Sequence, residues 1–193
     1  MINTHKANKD LLAKNGRLLS LAQYLIPLIG DKKEVKIADI GSGPISLIGR
    51  YYNDVKLAIY ASDKQDFTDF WTKHASEPVY PVARQDMEKL TYPDEYFDIV
   101  HSANALDHTK DALSAVMEMA RVCKKGGWVY ITCNLDQLDT GGKHYWNADE
   151  EGVFENGKQS FDLKGFGFDI KYIDLGGQRR YDSIVATLKK QIL

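Results

Sequence analysis

The sequence predicts an α/β fold: a doubly wound, mostly parallel sheet of seven strands with the last strand antiparallel. Three observations carry this expectation. From Val35 onward, short apolar β-branched runs alternate with stretches of helical spacing. A glycine-rich turn, Asp39-Ile40-Gly41-Ser42-Gly43-Pro44, follows the first run. Near the end, Phe168–Leu175 and Ser183–Leu188 are joined by a short segment holding Gly176-Gly177, with no room for a crossover helix. Those two strands should therefore pair antiparallel.

Taken in order, Leu11, Leu18, Ala22, Leu25 and Ile29 recur at helical spacing, with Gly16 a point of division and Gly30 an end. An amphipathic helical segment over 1–34, covering one sheet face, follows. Val35–Ile40 reads as the first strand. Pro44–Tyr51 reads as a short helix, with proline suited to its first position. Val55–Ala61 is the second strand, Phe67–Lys73 a helix and Val79–Ala83 the third strand. Tyr96–Ser102 is the fourth. The next helix places Leu113, Val116, Met117 and Ala120 on one face, with Thr109 or Asp111 as its cap. Gly126-Gly127 turns the chain into a fifth strand, Trp128–Thr132. The stretch 134–167 breaks the rhythm and reads as an insertion or lid. It holds Gly141-Gly142, and its Asn156-Gly157 signals a hairpin. The whole reads as one domain.

Composition narrows the functional classes. The 193 residues carry 44% hydrophobic and 27% charged residues and a formal charge of −2. That balance is globular, and no global field attracts a polyanion, so a nucleic-acid partner is not expected. Two cysteines, Cys123 and Cys133, are too few for a disulfide framework and suit reduced thiols in a cytoplasm. The longest apolar stretch, Leu18–Ile29, is interrupted by Ser20 and Gln23 and is too short to span a bilayer. The polar start, Met1–Lys14, lacks a signal-peptide pattern.

Candidate ligand contacts gather at the ends of the first three strands. Glycines at 41 and 43 let backbone approach a ligand closely. Ser46 occupies the position of the third glycine of a dinucleotide fingerprint, so that fingerprint fails. Asp63, followed by Lys64, ends the second strand, where a carboxylate can accept both hydroxyls of a ribose. Asp86-Met87 follows the third strand; Asp86 can accept an exocyclic amine and the Met87 amide can donate to a ring nitrogen. Each aspartate alone is equally at home as a cap or turn residue. Three such features at successive strand ends point jointly to a nucleoside ligand.

With Tyr96-Phe97-Asp98-Ile99-Val100 and Val122-Cys123-Lys124-Lys125-Gly126-Gly127 added, residues 35 to 133 resemble the class I S-adenosylmethionine-dependent methyltransferases. Lysine replaces the proline of the family's Leu-Lys-Pro-Gly-Gly. The resemblance implies a Rossmann-like seven-stranded sheet and S-adenosyl-L-methionine as cofactor. It also implies that Gly41, Ser42 and Gly43 face the methionine part, that Asp39 supports the loop, and that the backbone near His101-Ser102 meets the amino end. Lys64 belongs to the same expected surface. In the family, the stretch after the fourth strand borders the methyl group.

That stretch here is His101-Ser102-Ala103-Asn104-Ala105-Leu106-Asp107-His108. His108 is the expected general base, with Asp107 its orienter or an alternative base, against the plainer reading that both merely begin a helix. Asn104, His144, Tyr145 and Trp146 are expected on the acceptor side, where aromatics with a histidine suit a sugar or ring. The same residues resemble a bacterial methyltransferase branch associated with glycan tailoring. Metal assistance is not expected, because no His/Asp/Glu set with ligand spacing stands in the core half. The base-methylating Asp/Asn-Pro-Pro-aromatic run is absent, its place reading Ser102-Ala103-Asn104-Ala105. The expected function is methyl transfer to a small-molecule acceptor, a hydroxyl on a sugar or related metabolite. Two alternatives stay open: an NAD(P)-dependent oxidoreductase, and a non-catalytic S-adenosylmethionine-binding module. Against the first, Tyr52–Lys56 and Tyr60–Lys64 lie too early for a dehydrogenase's catalytic helix.

Overall fold

The computed structural model describes residues 20–73, 81–137, 143–174 and 182–191. Leu11, Gly16 and Leu18 of the expected N-terminal helix lie outside them, as do Val79, Gly141-Gly142, Leu175 and Gly176-Gly177. Ten strands are described: β1 (Glu34–Ile40), β2 (Lys56–Asp63), β3 (Val82–Arg84), β4 (Phe97–Ala103), β5 (Cys123–Asn134), β6 (Asn147–Ala148), β7 (Val153–Glu155), β8 (Ser160–Asp162), β9 (Asp169–Ile173) and β10 (Ser183–Lys189). The α-helices are α1 (Ile26–Ile29), α2 (Thr68–Lys73) and α3 (Ala112–Val122).

The main sheet runs β3-β2-β1-β4-β5-β10-β9. Its first five members pair in parallel, while β10 lies antiparallel to both β5 and β9. Strand order reverses between β1 and β4. A crevice for a ligand opens at the carboxyl ends of such strands. Parallel strands are buried on both faces, and β4 shows this with six consecutive buried residues, Phe97–Ser102. Leu21, Leu25 and Ile29 cover one face over Val35, Ile37 and Ile99. Ala112, Ala115, Val116, Met119 and Val122 of α3 cover the other over Ala38, Ile40 and Val100.

Two expectations need correction. No helix forms over Pro44–Tyr51. Its backbone bonds to the N-terminal segment instead: Ala22 N–H donates to Ile48 C=O and Leu21 N–H to Tyr51 C=O, both at 2.8 Å. Gly49 makes this possible, at φ +88°, since a Cβ there would lie 2.1 Å from the Ser20 carbonyl oxygen. The buried face of α3 is also displaced. Leu113 and Met117 are exposed, and the smaller Ala112 and Ala115 pack on the sheet. Asp111 caps this helix by accepting from Ser114 N–H.

The insertion forms a small antiparallel sheet, β6-β7-β8, with Asn156 and Gly157 in the β7–β8 turn. Its aromatic side merges with the main core: Trp146, Phe154, Leu163 and Phe168 are buried together with Val129 and Ile131.

Asp98 ties three segments together. It accepts from Lys36 N–H at 2.9 Å and from the ammonium groups of Lys32 and Lys124 at 3.1 Å. Burial pushes its carboxyl up, but these donors outweigh that and hold it below the ordinary carboxylate range. A depressed folded value means the contribution is complete above the unfolded value of about 3.9 and is lost as pH falls through the folded one. Asp98→Asn is expected to cost about 2 kcal/mol at neutral pH. In urea titrations at a series of pH values, the gap from wild type should close in acid; a gap independent of pH would discount the charge.

Candidate active site

Asp39, His101 and Tyr130 stand opposite one another on β1, β4 and β5. The carboxylate of Asp39 accepts from His101 Nδ1 at 2.8 Å, with both side chains buried. His101 Nε2 meets the Tyr24 hydroxyl at 3.1 Å, and the Tyr24 ring stacks on Tyr130. Burial, and then the charge of Asp39, push the Tyr24 phenol upward, so it remains a hydroxyl. Asp39 thus props the strand end through His101. Nothing in the sequence pattern marked Tyr24 for this part.

The glycine loop leaves β1 directly above this pair. Gly41 and Ser42 N–H both donate to the Ser62 carbonyl, at 2.8 and 3.0 Å, which ties the loop to β2. A Cβ on Gly41, at φ +73°, would come 2.4 Å from Ala105 Cβ and 3.2 Å from Met87 Cε. Met87 is itself buried. A Cβ on Gly43 would meet nothing within 4 Å, so one side of the loop is packed and the other open.

Asp63 ends β2 and Asp86 follows β3, each already engaged. Asp63 accepts from Gly43 N–H at 3.0 Å and Gln65 N–H at 2.9 Å, one on each oxygen. Each carboxylate oxygen has a second lone pair, so room for ribose hydroxyls remains. Asp86 accepts from Glu88 N–H and pairs with Lys64 at 2.7 Å, which joins the ends of β2 and β3. Asp86 raises the Lys64 ammonium above its ordinary value. Ser102 is buried, and its hydroxyl has no hydrogen-bond partner among the described residues.

After β4, Asn104 takes a positive φ of 49° and accepts from Asn134 N–H, clamping β4 to β5. Asp107 is 3% exposed and His108 is exposed. Asp107 does not orient His108. Its Oδ2 lies 2.5 Å from His144 Nδ1, and its backbone carbonyl accepts from Tyr145 N–H. His108 Nδ1 donates to the Lys143 carbonyl at 2.9 Å. The two imidazoles lie 4.3 Å apart. Tyr145 is exposed. Trp146, expected to face an acceptor, is instead 1% exposed, with its indole N–H donating to the Thr109 carbonyl at 3.1 Å. It anchors the segment that carries His144.

Asp107, His108 and His144 bring one ligand atom each to within 4.8 Å of the others. A search for close sequence spacing could not find this set, since Asp107 and His144 are 37 residues apart. The thiols offer no nucleophile: burial pushes Cys123 up to about 12 and Cys133 well above its ordinary value.

Sheet order and strand directions define a Rossmann-like α/β protein. Residues 38–131 match the family described as a methyltransferase domain. Over this region the chain is similar to the class I S-adenosylmethionine-dependent methyltransferases. It is 31% identical over 126 residues to the ubiquinone/menaquinone biosynthesis C-methyltransferase UbiE of Coxiella burnetii, covering 65% of this chain and 43% of that protein. The chain thus spans less than half the length of this curated relative. Its fold resembles the YcgJ protein of Bacillus subtilis, with a TM-score of 0.53, 16% identity and coverage of 88% and 97%. It also resembles the [4+2]-cyclase SpnF, with a TM-score of 0.58, 16% identity and coverage of 88% and 79%. A cyclase among these folds shows that the sheet alone does not fix the reaction. Among the described residues, no helix is long and apolar enough to cross a membrane.

Proposed function

We propose that this chain binds S-adenosylmethionine at the carboxyl ends of β1 to β4 and transfers its methyl group to a small-molecule acceptor. The observation that carries this reading is the loop at Gly41–Gly43, packed on one side and open on the other. Asp63 would take the ribose hydroxyls, Asp86 and the Met87 amide the adenine, and the backbone at His101-Ser102 the amino end. The unpartnered Ser102 hydroxyl is consistent with a polar ligand at that strand end.

The cofactor supplies an activated methyl on a sulfonium. The acceptor atom forms the new bond to that carbon, the carbon–sulfur bond breaks, and its electron pair stays on sulfur. What remains for the protein is alignment, exclusion of water and removal of the acceptor's proton. His108, with Asp107 and His144 beside it, is where that proton leaves. The acceptor is a hydroxyl on a sugar or related metabolite, supported by the exposed Tyr145 ring next to two histidines. The UbiE relative is named for methylation at carbon, so an acidic C–H belongs in the acceptor screen.

Calorimetric titration with S-adenosylmethionine and S-adenosylhomocysteine tests the cofactor. Saturable one-to-one binding is expected, weakened at least tenfold in Asp63→Ala, which loses both the ribose acceptor and the Gly43 contact. No binding at about millimolar ligand by a folded sample would defeat the proposal.

A further inference from the structure

We infer that Asp107, His108 and His144 form a binding site for a borderline divalent transition-metal cation of the zinc and cobalt kind. The inference goes beyond the methyl-transfer reading and does not depend on it.

Three observations converge. First, His108 is fixed through Nδ1 by the Lys143 carbonyl, as metal-ligating histidines characteristically are through the ring nitrogen that does not bind the metal, while His144 Nδ1 and Asp107 Oδ2 lie 2.5 Å apart, where a cation would take the place of the proton between them. Second, a carbonyl can only accept, so His108 Nδ1 carries the hydrogen and Nε2 is the ring atom left to act as a ligand. The rings lie 4.3 Å apart, and one ligand atom from each of the three residues falls within 4.8 Å of the others. Third, Asp107 is 3% exposed, yet its Oδ1 has no hydrogen-bond partner among the described residues. No lysine or arginine among them pairs with it. A buried carboxylate oxygen left unsatisfied is costly, and a bound cation is a standard resolution.

The donor set selects the class of cation. Two imidazoles and one carboxylate suit zinc, cobalt, ferrous iron or nickel, whereas magnesium and calcium require mostly oxygen. Three protein ligands also leave a coordination position open, as in catalytic rather than structural sites. His108 is exposed and His144 is 15% exposed by side chain, so that position would be open to an oxygen ligand such as water.

The test uses the whole chain, freed of any affinity tag, stripped with chelator and titrated near neutral pH with cobalt(II), then with zinc. One cobalt per chain is expected, with a visible absorption band that zinc removes. His108→Gln and His144→Gln should each weaken binding at least tenfold while thermal melts stay cooperative. His108 is exposed, with one hydrogen bond to a backbone carbonyl, so its variant keeps the test decisive if His144→Gln fails to fold. No saturation at about millimolar cobalt, or undiminished affinity in a folded variant, overturns the inference. Because neither readout involves S-adenosylmethionine, failure here is distinct from failure of the methyl-transfer proposal.

Discussion

Trp146→Ala is expected to lower the free energy of unfolding by about 3–5 kcal/mol, the usual range for removing a fully buried large aromatic. The indole is 1% exposed, its ring meets Phe161 edge-on at 5.5 Å, and Phe161 stacks on Phe154 at 5.4 Å. Truncation opens a cavity where the small sheet joins the main core and leaves the Thr109 carbonyl without its indole donor. Trp146→Phe, which keeps much of the volume, should lose appreciably less. Equilibrium denaturation with guanidinium would measure both. A loss below about 1 kcal/mol for alanine would mean that the 147–162 sheet does not share the core's cooperativity. Since Tyr145 and Trp146 N–H both donate to the Asp107 carbonyl, the same substitution should also loosen His144.

Asp39→Ala should cost about 3 kcal/mol, because it strands His101 in a buried position without its acceptor. Asp39→Asn retains an oxygen that can accept from Nδ1 and should recover most of that loss. The comparison separates loss of the hydrogen bond from loss of volume. If alanine and asparagine prove equally damaging, the contact with His101 is not what Asp39 contributes. The glycine loop starts two residues later, so affinity for S-adenosylhomocysteine should fall in step with stability.

The sheet was legible because each parallel strand is a nearly continuous apolar run, and such runs survive without knowledge of their neighbours. The helix expected after Gly43 failed for the opposite reason. Ile45 and Ile48 are buried, as an amphipathic helix would require, but the backbone partners of Ile48 and Tyr51 lie in the 20–22 segment, which local pattern does not see. In α3 the eye goes to Leu113 and Met117, whereas close packing on a sheet favours alanine. At the site, the acidic strand ends and the 107–108 pair could be read from the chain. Their partners could not: Asp39 finds His101 through strand register, and Asp107 finds His144 through an insertion folded back by a buried tryptophan.

The irregular path after the glycine loop bears on charge. Where a helix begins at such a loop, its aligned peptide dipoles and unbonded N–H groups present a partial positive charge, which is what a pyrophosphate seeks. Here the chain turns away at Pro44; the Gly41 and Ser42 amides are spent on β2, and the carbonyls of Ile48 and Tyr51 accept from the 20–22 segment. A dinucleotide would find no positive helix end to neutralise its phosphates, whereas a sulfonium, itself a cation, is spared the repulsion that such an end would exert.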